Sequence, residues 1–325
     1  MKRLRRGFGG VLSAVTAFVA VFLFWSRHVP FTVAEADRAP PGLRAPTDLL
    51  DGGVTLRFLG VSGYEVSDGV TTVLLDPTPT RPPPLALLLP LDPDEALGAK
   101  ECPKADLILV NHTHYDHALD VPAIAKRTGA LVAGSQNTVN LARSRGVPEA
   151  KTRVVKAGER FTVGTFTIDV GRSRHTRIAG LSEPMSGPLP VEAGRLWFWQ
   201  YTLDETLFFR LEANGTSIWW HPTSTWADGE LPPTAPPAGT LIVGVTGEAQ
   251  TVDKARGLLS ATRPKFVLPT HYDNFFQPWE KGLGLMPGLD LPAARAAFAA
   301  VDAGTTWVVL DQGERIVLPP DAPRD

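Results

Sequence analysis

Seven consecutive residues constrain this chain more than any other feature: Asn111-His112-Thr113-His114-Tyr115-Asp116-His117. They follow Asp106-Leu-Ile-Leu-Val, a short apolar run that reads as a buried strand. An H-x-H-x-D-H pattern therefore sits where a strand gives way to a turn. Neutral imidazole and carboxylate are the usual ligands of zinc and similar divalent ions. Residues turning off a strand end within this spacing can face one cation or two adjacent ones. The chain holds only 7 histidines in 325 residues, so a chance cluster of this kind is rare. A His-rich polar surface loop is the competing reading, and it leaves the spacing without a reason.

Three further histidines also close strand-like runs. His175 comes soon after Phe166-Thr-Ile-Asp-Val-Gly, His221 after Ser217-Ile-Trp-Trp, and His271 after Lys265-Phe-Val-Leu-Pro-Thr. A lone histidine at a strand end is more often structural than ligating. Three of them behind an H-x-H-x-D-H point to ligands gathered at one sheet rim. The candidate metal ligands are thus His112, His114, Asp116, His117, His175, His221 and His271. Asp116 is also the candidate catalytic residue, because it can orient a nucleophile, ligate a metal or move a proton.

Other chemistries find no support. The single cysteine, Cys102, excludes an intramolecular disulfide framework and any CxxC site. No nucleophile-elbow, P-loop or dinucleotide-binding pattern occurs. The histidine-rich constellation alone suggests metal-assisted hydrolysis, in which a bound dication lowers the pKa of its water toward ~7 and polarises the bond under attack. Tyr115, Tyr272 and Asp273 adjoin ligands and are candidates for supporting them, with plain packing an equal alternative.

The N-terminus has a separate character. Lys2, Arg3, Arg5 and Arg6 precede a charge-free stretch from Gly7 to Ser26, and Arg27 follows. That stretch is long enough to cross a bilayer as a helix. The basic cluster places the N-terminus in the cytoplasm and the remainder outside. A signal peptide cut after Ala34-Glu35-Ala36 competes with an uncleaved signal anchor; the length of the apolar run favours the anchor. Beyond residue 27 the chain has 27 basic against 34 acidic side chains, a formal charge of −7. That balance makes a nucleic-acid partner improbable.

Residues 28–52 are Pro- and Ala-rich and read as a linker. Strand-like runs then begin at Val54, Val70, Asp106, 152, 161, Thr240 and Lys265, with helical stretches over 121–145, 251–262 and 292–302. The 145-ward helical region carries a short strand between two helices. Asn214-Gly215 marks a hairpin over Leu207 to Trp220, and a final hairpin is expected around Asp311-Gln-Gly. Residues 77–104 hold eight prolines and read as a long loop. Hairpin-like groups with helices between them imply stacked sheets flanked by helices. Trp197, Trp199, Trp219, Trp220 and Trp226, with Phe275, Phe276 and Trp279, form either an apolar pocket wall or core.

The order of H-x-H-x-D-H, His175 and Pro269-Thr270-His271 resembles the metallo-β-lactamase superfamily. Gly60-Val-Ser-Gly-Tyr, Leu75-Asp76-Pro77 and Ala261-Thr-Arg-Pro-Lys-Phe-Val-Leu-Pro-Thr-His add to the resemblance. The likeness is greatest to the branch containing ascorbate-6-phosphate lactonase and N-acyl-phosphatidylethanolamine phospholipase D. It implies an α+β, four-layer αββα fold over residues 53–320, here preceded by one transmembrane helix within residues 1–27 and followed by a tail, 321–325. It also implies a first metal on His112, His114 and His175 and a second on Asp116, His117 and His271. The family's bridging aspartate is missing: His221-Pro222 stands near its place, as a ligand of one metal or as a mere neighbour. The expectation is a membrane-anchored, extracytoplasmic hydrolase carrying one or two Zn2+, with Mn2+ or Fe2+ as alternatives. Its substrate would be a small molecule or lipid-like ester, lactone, amide or phosphodiester. A non-catalytic metal-binding envelope protein with a degenerate second site is the rival. Oligomeric state is not readable from the sequence.

Overall fold

The computed structural model describes residues 29–44, 53–176, 183–223, 237–246 and 251–321. These form β1 (Val54–Gly60), β2 (Gly63–Ser67), β3 (Thr72–Leu75), β4 (Leu107–Leu109), β5 (Leu131–Gly134), β6 (Thr152–Val154), β7 (Arg160–Val163), β8 (Phe166–Ser173), β9 (Thr206–Ala213), β10 (Thr216–His221), β11 (Thr240–Gly244), β12 (Phe266–Thr270), β13 (Thr306–Trp307) and β14 (Arg315–Leu318). The α-helices are α1 (Glu95–Glu101), α2 (Tyr115–Ala118), α3 (Val121–Thr128), α4 (Gln136–Ser144), α5 (Val252–Thr262) and α6 (Leu291–Val301). One sheet runs β14-β1-β2-β3-β4-β5-β6 and the other β13-β12-β11-β10-β9-β8-β7.

The strands sort their side chains by alternation. Leu56, Phe58, Val73 and Leu75 join Phe209, Trp220 and the rest of the large core shared by the two sheets. Leu59, Leu74 and Ile108 instead meet Ile124 of α3 and Leu141 of α4 in a second cluster on the outside of the first sheet. Helices α5 and α6 pack on the second sheet through Leu258, Ala294 and Phe298. The layers are therefore helix, sheet, sheet, helix. Strands β10, β11 and β12 are buried throughout, which explains why their sequences run apolar rather than alternating. Helix starts are fixed by caps: Ser135 accepts from Thr138 N–H, Thr251 from Lys254 N–H, and Asp290 from Ala293 N–H.

Three expectations need correction. Residues 29–44, within the expected linker, lie on the domain: Val33, Ala39 and Leu43 are buried, and Val317 N–H donates to Leu43 O at 2.8 Å. Three well-spaced apolar residues suffice to hold a strap that has no period of its own. The loop at 77–104 contains α1, started by Asp94 accepting from Leu97 N–H. At Asp311-Gln-Gly the turn forms, with Glu314 N–H donating to Asp311 O. Its flanking strands, β13 and β14, belong to different sheets, so the segment crosses between layers instead of forming a hairpin. Among the described residues no helix is long and apolar enough to cross a membrane. The expected anchor, residues 1–27, lies outside the described residues, as does Trp226.

Candidate metal centre

The H-x-H-x-D-H run leaves β4 and enters the one-turn helix α2, which places His112 and His114 before the turn and Asp116 and His117 on it. His175 arrives from the end of β8 and His271 from the end of β12. Six of the seven candidate ligands meet in two groups. His112, His114 and His175 form one, and Asp116, His117 and His271 the other, each with its donor atoms within 4.8 Å of one another. The groups adjoin, since the His112 and His117 rings lie 3.9 Å apart.

The first group is built to offer lone pairs. His112 Nδ1 is 2.5 Å from Asn111 Oδ1, His114 Nε2 is 3.0 Å from Pro184 O, and His175 Nδ1 is 2.6 Å from Thr176 O. Each acceptor fixes the ring proton on the far nitrogen. The near nitrogens of His112 and His114 then face each other at 3.0 Å with no proton to share. Two ligands held tetrahedrally at ~2.05 Å from a zinc ion lie ~3.3 Å apart, so a cation fits this contact and a neutral imidazole pair does not. Burial also keeps these rings unprotonated, pushing His112 well down, His114 to about 4 and His175 to about 3.

The second group is acidic. Asp116 Oδ2 sits 3.6 Å from His117 Nε2 and 3.3 Å from His271 Nε2. Burial pushes Asp116 up, but His117 and the His271 hydrogen bond outweigh it and hold the carboxyl well below its usual range. His117 Nδ1 is 2.5 Å from Asp76 Oδ2 and 2.9 Å from Ser62 Oγ. Burial pulls His117 down, yet Asp116 and Asp76 override it and hold the ring above its usual range. Two carboxylates around one imidazole call for positive charge, and a dication supplies it as a proton does.

The backbone is bent to make this fit. Val61, Asp76 and His271 adopt φ of 55°, 36° and 59°. Positive φ costs ~1–3 kcal/mol at a non-glycine residue and is held by its surroundings. Here His271 N–H donates to Val61 O at 2.6 Å, Thr270 Oγ1 donates to the same oxygen at 2.7 Å, and Val61 N–H donates to Asp273 Oδ1 at 2.7 Å. Arg81, buried at 3 % side-chain exposure, pairs with Asp273 at 3.3 Å.

His221 joins neither group. Its Nε2 lies 3.2 Å from Ser173 Oγ, its ring packs 5.3 Å from Phe208, and burial pushes it down to about 3. Pro222 and then Thr223 follow it, so no carboxylate stands there. The aromatic residues divide: Trp219 and Trp220 are core, while Phe275 packs edge-on to His271 at 5.7 Å and 6.3 Å from Tyr115. Asp76, Ser62, Asn111 and Arg81 also belong to the site, although their residue types and spacing alone do not mark them as such. The runs Gly60-Val-Ser-Gly-Tyr and Leu75-Asp76-Pro77 were the available signals for two of them.

Comparison with known proteins agrees with this geometry. Residues 55–271 match the family model described as beta-lactamase superfamily domain. A UPF0173 metal-dependent hydrolase of Carboxydothermus hydrogenoformans is 28 % identical over 223 residues, covering 68 % of this chain and 85 % of its own. Another, from Pyrobaculum arsenaticum, is 26 % identical over 220 residues, covering 68 % and 84 %. Among solved structures, the metallo hydrolase Igni18 of Ignicoccus hospitalis superposes with TM-score 0.53 at 18 % identity, covering 82 % of this chain and 98 % of that one. The isothiocyanate hydrolase from Delia radicum gut bacteria gives 0.51 at 15 %, covering 82 % and 99 %. The matched stretch runs from the first strand to His271 and so takes in both donor groups. This chain therefore belongs to the beta-lactamase superfamily, as a metal-dependent hydrolase of the metallo-β-lactamase fold.

Proposed function

We propose that this hydrolase cleaves an ester, lactone, amide or phosphodiester bond, with lactones and phosphodiesters favoured, and that it is tethered to the outer face of a membrane by residues 7–26. The observation that carries the hydrolytic reading is the pair of adjoining three-donor groups. Zinc is the proposed occupant of both, with His112, His114 and His175 holding one ion and Asp116, His117 and His271 the other. Bound there, a dication would supply Lewis acidity, lowering the pKa of a coordinated water and polarising the bond under attack. The chain's own residues do the rest. Asn111, Pro184 and Thr176 fix the ring orientations of the first group, and Asp76 with Ser62 fixes that of His117. Asp116, ionised and flanked by two imidazoles, orients the nucleophile or accepts its proton. Phe275 and Tyr115 wall the second group with apolar surface and exclude water from that side.

A second reading has one specific motive. His221-Pro222-Thr223 offers no bridging carboxylate, which favours a weak second site or a metal-binding envelope protein without turnover. Metal content per chain, measured with a chromogenic panel of ester, lactone and phosphodiester substrates, separates the two. Two ions and a turnover abolished by His114→Ala are expected. A loaded protein inert across the panel would favour the second reading.

A further inference from the structure

Two short segments carry most of the bulky apolar side chains that the described residues expose. Leu85, Leu88 and Leu89, in and just after the 3-10 turn Pro84–Leu88, are 63 %, 47 % and 63 % exposed, and Trp199 is 46 % exposed. A β-bridge between Leu91 and Leu196 joins the two segments, and Arg195 pairs with Asp92 beside it. The two segments thus lie side by side, and both pack inward on the same outer core, through Leu87 and Phe198. They adjoin the metal centre: Phe198 packs edge-on to Tyr115, the neighbour of Asp116. Leu89 also lines a cavity of about 420 Å³ with Arg81 and Trp279.

The N-terminal chain arrives on the same rim. Leu285 N–H donates to Val29 O at 3.1 Å, and Pro30 bridges to Gly284. Gly284 O in turn accepts from Asn274 N–H, next to Phe275 of the metal centre. Residues 27 and 28 alone separate the apolar stretch 7–26 from this attachment point. At ~3.5 Å per residue they span no more than ~11 Å between Ser26 and Val29. A domain held that close to a bilayer has little choice of which side faces it.

The geometry points to a lipid bilayer as the partner of this surface. Leu85, Leu88, Leu89 and Trp199 enter the headgroup region, where leucine and tryptophan are favoured. The mouth of the metal centre then opens toward the membrane and takes an amphiphile whose scissile bond lies at headgroup depth. This inference rests on the tether proposed above, and the test separates the two.

The test uses the full chain reconstituted in phosphatidylcholine vesicles, carrying an environment-sensitive fluorophore on Leu88→Cys or, as control, on Val70→Cys. Val70 is 71 % exposed on the β2–β3 turn, at the end of the sheet opposite Asp76. Native Cys102 stays unlabelled, being fully buried with its thiol pushed up to about 12. Expected is co-flotation with vesicles, with the Leu88→Cys label losing most of its emission to doxyl-labelled lipid and the Val70→Cys label losing none. Co-flotation with both labels equally wet overturns the docking and leaves the tether standing. A Leu88→Cys label shielded from water but not quenched by doxyl lipid means that protein, such as a second copy, covers the surface, and also overturns the docking. Failure to float overturns both.

Discussion

The two sheets repeat one pairing scheme, three antiparallel joints followed by three parallel ones, yet they equip the site unequally. The sharpest contrast is between β3 and β10, which hold the same place where the pairing changes sense. β10 ends in His221, followed by Pro222, and β3 is followed directly by Asp76-Pro77. Asp76 serves the metal centre through His117, whereas His221 serves its own sheet through Ser173. Trp220 donates its indole N–H across the sheets to Ser62 O, so the next residue of a regular strand points the other way. His221 obeys that alternation. Asp76 escapes the regular extended conformation, because its backbone turns to φ 36°. A strand end contributes to the site when its backbone is bent toward it, and the residue type alone does not decide.

Three substitutions test the contrast. The largest effect is expected from His112→Ala, which takes a ligand out of the better-equipped half. Turnover should fall by more than the ~100-fold that loss of an outer hydrogen-bond partner costs, and one ion per chain should disappear on elemental analysis. Retained metal and activity would break the comparison outright. Asp76→Asn comes next: it keeps the shape and removes the charge behind His117. Cation affinity measured by chelator competition should drop ~10–100-fold while the far-UV spectrum stays the same. His221→Gln should act least on the site. It should leave metal per chain unchanged and cost ~1–3 kcal/mol of unfolding free energy, because buried polar partners are disturbed. A lost ion in that variant would make His221 a ligand and erase the difference between the strand ends.

Much of this was legible in the sequence because it is local. The H-x-H-x-D-H run encodes four donors within six residues, and Asn214-Gly215 sets a hairpin whose turn residues have positive φ. The helices at 121–128, 136–144, 252–262 and 291–301 carry their own caps and periods. What stayed hidden depends on distant neighbours. Asp76 matters only because β3 lies beside β4, bringing it to His117. Asn111 looks like the edge of a motif until its side-chain oxygen Oδ1 is seen fixing His112. The strap at 29–44 is ordered by a surface that the rest of the chain must first build. The direction of His221 follows from strand register, which a lone histidine after two tryptophans does not disclose.

The hydrogen bond from His271 to Val61 also bears on how the protein holds together. It ties the end of β12 to the turn after β1, across almost the whole domain. A cation in the second group would bind residues 116 and 117 to residue 271, and one in the first would bind residues 112 and 114 to residue 175. Such an ion has its full ligand set only once the two halves have closed, so it adds its binding energy to the folded state alone. With a single cysteine the chain cannot cross-link itself through sulfur. Its cross-link is the centre itself, a clasp that a chelator can open.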